Sequence, residues 1–85
     1  MKIKSLAPNQ TEVTLNPGTV IFFSYTKPIA YIPFEAQGRQ ILVSSDLFSK
    51  TTARHLRKWL MEEDKKGKEI HWIAQEQINI MVGEW

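Results

Sequence analysis

"SKTTARHLRKWL", residues 49–60, is the stretch that decides the fold. At about 100° per residue, Ala53, Leu56, Trp59 and Leu60 share one side, the pattern of a helix laid against a sheet. Ser49 is the candidate N-cap, with Thr51 and Thr52 as alternatives, because a hydroxyl there accepts from an orphan backbone N–H. The spacing predicts a helix over about 50–64. Lys50, Arg54, Arg57 and Lys58 then project from one contiguous sector of roughly 100°. Lys50 and Arg54 stand in the first turns, where the helix dipole disfavours cations. Either solvent makes that cost negligible or the face serves to bind an anion.

Upstream of this helix the period changes to that of strands. "TEVTL" (11–15) alternates as a strand with one solvated face does. "NPGT" follows, with Pro17 presetting φ and Gly18 permitting a positive φ, so the chain should double back. "VIFFSY" (20–25) is apolar on both faces and so looks central in a sheet. "TKP" then interrupts, since Pro28 cannot donate a ladder hydrogen bond, and "IAYIPF" resumes from about Ile29, with Pro33 limiting it. Gly38 in "EAQGR" marks a turn, and "QILVS" (40–44) makes the next strand. Connections this short favour antiparallel neighbours in a meander.

Downstream, "KKGK" offers Gly67 as a left-handed cap to end the helix. "EIHWI" (69–73) is a candidate further strand. Residues 75–82 read as a short terminal helix with Ile78, Met81 and Val82 inward, or as a strand. The expected class is therefore α+β: a small antiparallel sheet of three to five strands, one amphipathic helix across it, and a short C-terminal element. The 85 residues fit a single small domain, 1–85, whose thin core leaves room for a homodimer to add stability.

Composition narrows the chemistry. Absence of Cys excludes disulfides, thiolate catalysis and cysteine-ligated zinc, and suits a reducing compartment. The longest apolar run, "VIFF", is far short of a membrane span, and no apolar leader segment opens the chain, so a soluble intracellular protein is expected. The two histidines, His55 and His71, lack short ligand spacing, and Glu62, Glu63 and Asp64 splay around a helix axis instead of converging. No phosphate-binding glycine loop or nucleophile elbow is present. These readings give no metal, no cofactor and no enzyme.

Charge supplies the remaining signal. Net charge is +2, but residues 1–49 carry four basic and three acidic groups, residues 50–61 four basic and none acidic, and residues 62–85 three basic and six acidic. Positive charge is concentrated on the predicted helix. The expected function is a non-enzymatic binding module, with Lys50, Arg54, Arg57 and Lys58 forming the surface and His55 at its margin.

"SYTKPIAY" (24–31) and "TTARHLRKWL" (51–60) together resemble the paired motifs of a family of small, functionally uncharacterised bacteriophage proteins. In that pattern a Ser-Tyr strand with a Pro precedes a Thr-Thr-Ser-x-His, Lys-Trp-Leu helix. Ala53 stands here where the pattern has Ser, and Arg57 where it tends to have Asn, which makes this helix more basic. The resemblance implies phage origin and action in the host bacterial cytoplasm, with Thr51, Thr52, His55, Lys58 and Trp59 as the shared positions. The expected partner is nucleic acid or an acidic host-protein surface. The alternatives are a host-protein inhibitor acting through an apolar surface, and an oligomeric structural or virion-accessory protein.

Overall fold

The computed structural model describes residues 2–15, 18–34, 39–46, 49–62, 65 and 67–83. The class is α+β. Six strands form one sheet in sequence order: β1 (Lys2–Ala7), β2 (Gln10–Thr14), β3 (Val20–Ser24), β4 (Lys27–Ile32), β5 (Gln40–Ser44) and β6 (Glu69–Ile73). Two helices accompany them, α1 (Lys50–Leu60) between β5 and β6, and α2 (Gln75–Gly83) after β6.

The sheet exceeds the expected three to five strands because both of its edges carry an extra one. β1 pairs antiparallel with β2 through a two-residue turn of Pro8 and Asn9, whose φ of 63° is the positive value that a type II turn requires at its third position. "APNQ" was the signal for it, but Lys2, Ile3, Lys4 and Ser5 are all exposed, so no apolar face announces the strand. β6 corrects the fully antiparallel meander: it runs parallel to β5, from Gln40↔Glu69 to Ser44↔Ile73. α1 is the crossover that a parallel pair needs.

β2 to β5 follow the antiparallel order that the turns imply. Leu15 N–H donates to the Thr19 carbonyl at 2.7 Å to close the β2–β3 connection, and Gly18 has a φ of 149°. Asn16, Pro17 and Gly38 lie outside the described residues. Pro28 does not interrupt β4 but sits within it, opposite Phe23, where the register with β3 shifts. An irregular position is where a strand accommodates Pro. The extra residue there, Ile29, explains why adjacent Ile29 and Ala30 are both fully buried.

The core lies between α1 and one sheet face. Phe22, Ile29, Ala30, Ile32, Ile41, Val43, Leu56 and Trp59 form one buried cluster. α2 is a helix, which resolves the C-terminal alternative; it packs against β4 with Ile78 buried and Met81 and Val82 half-buried. The Gln75 amide nitrogen at its start donates to the Pro28 carbonyl at 2.6 Å.

α1 ends sooner than expected, at Leu60 with Met61 as C-cap. Residues 63 and 64 lie outside the described residues. Gly67 has a φ of 81° but is too far along to cap α1. The chain leaves the helix so that Lys65 turns back over it, 4.6 Å from the Trp59 ring centre, with its ammonium on Glu62 at 3.1 Å and Glu12 at 3.5 Å. Glu62 thus pairs with Lys65, and not with Lys58 as helical spacing suggests.

Candidate functional site

The position of α1 is set by two contacts with β3. Trp59 stacks on Phe22, centroids 4.7 Å apart and planes within 9°, and its indole N–H donates to Glu12 Oε1 at 3.0 Å. Glu12 is the cross-strand neighbour of Phe22, so β2 and β3 present one platform. Two residues along β3, Ser24 Oγ lies 2.9 Å from His55 Nδ1 and donates to Thr52 Oγ1 at 3.2 Å. Which of Ser24 Oγ and His55 Nδ1 donates to the other is set by the imidazole tautomer. Ser49 caps the helix as expected, accepting from Thr52 N–H at 3.2 Å, and its own hydroxyl donates to Thr52 Oγ1.

The spacing of these contacts is a matter of rise. Two residues of strand span about 6.7 Å, and four residues of helix span about 6.0 Å. Phe22 and Ser24 therefore meet Trp59 and His55 in turn, and α1 runs antiparallel to β3. Ser24 of the strand motif and Thr52 and His55 of the helix motif meet at this interface.

His55 is the correction this geometry forces. Expected at the outer margin of the basic face, it is 8% exposed, with its ring 5.8 Å from that of Tyr25. It precedes Trp59 by one turn and follows Thr52 by three residues, so all three belong to one flank. The buried residues of α1 are His55, Leu56 and Trp59, with Ala53 and Leu60 half-buried. The buried stripe is thus rotated by about 60° toward His55 from the one that apolar residues alone mark out. A polar residue is easily misassigned in this way, since nothing local signals the serine that pairs with it. His71 is exposed on β6 and 3.2 Å from Glu69.

Tyr25 is held in an unusual conformation. Its φ is 58°, in the left-handed region that bulky residues rarely adopt. Its N–H donates to the Asn9 carbonyl at 2.7 Å, and Asn9 is itself at positive φ, so two neighbouring turns fix each other. The half-exposed ring is thereby presented beside His55.

Lys50, Arg54, Arg57 and Lys58 are all exposed, on the side of α1 turned away from the sheet. None of the four makes an ion pair with a described residue. Arg57 and Lys58 stand in the last turn, where the dipole favours them; Lys50 stands in the first, which holds no acidic residue. The four cations share a sector and an exposure, and they are separate from the buried Ser24–His55–Thr52 network behind them.

Among the described residues no cluster of three or more His, Asp or Glu is placed to hold a metal ion, and no helix is long and apolar enough to cross a membrane. Comparison with curated proteins and with solved structures gives no match. The chain belongs to a family of unknown function, DUF8033, whose model matches residues 1–78. That span includes all six strands, α1 and the start of α2.

Proposed function

We propose that this chain is a non-enzymatic binding module of bacteriophage origin, acting in the host bacterial cytoplasm, that docks an anionic partner on the outer face of α1. The observation that carries this reading is the disposition of Lys50, Arg54, Arg57 and Lys58: all exposed, all on one sector, and none neutralised by a described carboxylate. The neighbouring Lys65 differs, being buried between Glu12 and Glu62. Arg57 and Lys58 gain from the helix dipole, but Lys50 stands against it, and its position is better explained by a ligand. The Ser24–His55 pair supports the surface without joining it. With Ser24 2% exposed, it orients the helix and is not a nucleophile open to substrate.

The experiment is a pull-down from bacterial lysate, with and without nuclease, comparing the wild-type chain with Arg54→Glu/Lys58→Glu. The reading expects one anionic partner retained by the wild type and lost by the double variant; equal retention by both rejects it. If the partner is duplex DNA, log affinity should fall against log salt with a slope of about −3.6, from four phosphate contacts at about −0.9 each.

A further inference from the structure

The basic face of α1 does not end in solvent on both sides. Along one flank it borders an apolar cleft of about 350 Å³, walled by Ala53, Leu56, Leu60 and Met61 on one side and by Trp72 of β6 on the other. The cleft exists because β6 lies beyond the reach of the helix. Trp72 is the register neighbour of buried Val43 and projects from the same sheet face, yet it is 62% exposed, and Met61 across from it is 65% exposed. Ile70, two residues before Trp72 and therefore on that same face, is also exposed. Arg57 belongs to both surfaces: it is one of the four exposed cations, and it lines the cleft.

We infer that the cleft receives apolar side chains of an acidic amphipathic protein segment, whose carboxylates lie on the Arg54–Arg57–Lys58 side of α1. This inference rests on the anionic-partner reading above and names the class of that partner. Charge decides the occupant. Among the described residues, Asp46 is the one carboxylate that lines the cleft, and it is 3.7 Å from Lys27, so the border calls for carboxylates from outside. A second copy docked on the same patch would bring its own four cations against these, because a two-fold contact opposes like surfaces. Single-stranded nucleic acid fits less well: it is held by several aromatic platforms along a charged track, whereas this cleft offers one indole among aliphatic walls. Exposed apolar side chains gathered beside complementary charge are the usual form of a helix-binding groove.

The test uses the full chain and a labelled synthetic peptide with Leu and Phe at i, i+3, i+4 and i+7 and Glu between them. Two control peptides replace the Glu by Gln, or the Leu and Phe by Ser. Binding is read by fluorescence anisotropy, and its location by NMR shifts of the Trp72 indole N–H and the amides of Ala53, Leu60 and Met61. The proposal expects binding at those signals, weakened at least tenfold by either control peptide and by Trp72→Ser or Met61→Ser. Both variants alter exposed side chains, and the control peptides leave the protein untouched, so the result does not hinge on a variant's folding. Unchanged affinity in Trp72→Ser and Met61→Ser, with loss in the Gln peptide and in Arg54→Glu/Lys58→Glu, overturns the cleft inference and leaves the basic-face reading standing. Equal binding of the Glu and Gln peptides overturns the acidic occupant, and the basic-face reading then stands or falls on the pull-down. Failure of every peptide, Trp72-dependent binding of a single-stranded oligonucleotide instead, or self-association that shifts the same signals each replaces the proposed occupant and overturns it.

Discussion

Ser24 Oγ and His55 Nδ1, 31 residues apart in sequence, lie 2.9 Å from each other in the interface between β3 and α1. Both are buried, so their bond is made away from competing water, and Thr52 extends it to the helix cap. This polar contact fixes the rotation of α1 about its axis, and that rotation in turn aims the cations outward.

Ser24→Ala should destabilise the fold by about 1–3 kcal/mol, because it leaves the buried imidazole nitrogen without its hydrogen-bond partner. Ser24→Ala/His55→Ala should cost less than the sum of the two single changes, with a coupling of about 0.5–3 kcal/mol. Urea unfolding of the four proteins measures both. A coupling near zero would mean that the pair merely adjoins.

Trp59→Ala should be the most damaging single change in α1. It removes a ring that is 1% exposed and stacked on Phe22, at a cost of about 3–5 kcal/mol. Domains of this kind have about 5–15 kcal/mol in all, and small ones sit at the low end. Trp59→Phe keeps the stack but leaves Glu12 without the indole donor, and should cost about 1–3 kcal/mol. Near-UV circular dichroism and urea midpoints separate the two: the Ala variant should lose its fixed aromatic signal in water, and the Phe variant should unfold cooperatively at lower urea.

Lys50→Glu should move stability and binding in opposite directions. At the first position of α1, just after the Ser49 cap, a carboxylate complements the dipole and should stabilise the fold by about 0.3–1 kcal/mol. The same change removes one of the four cations and adds a repulsive charge, so retention of the anionic partner should weaken. A urea midpoint that rises while binding falls is the expected result. Binding that holds at wild-type strength would remove Lys50 from the surface.

Much of this arrangement was legible in the chain because its signals are local. The start of the helix at Lys50, its Ser49 cap, the strand positions of β2, β3 and β5 and the exposure of the four cations each follow from periodicity or from one residue's chemistry. The resemblance singled out Thr51, Thr52, His55, Lys58 and Trp59 without saying that His55 turns inward to meet Ser24. β1 was missed because an edge strand exposed on both faces shows no apolar alternation, and the parallel placement of β6 because strand direction is not written in a five-residue segment.

What the sequence determined by itself is therefore the central strands, the amphipathic helix and the clustering of positive charge on that helix. Tertiary structure decided how that helix is turned. A lone histidine on an amphipathic helix can face water or core with little difference in local energy, and the choice falls to a distant hydroxyl that satisfies it. Ser24 made that choice when β3 placed it one step beyond Phe22, and the outward aim of the cations and the cleft beneath Trp72 follow from the same packing.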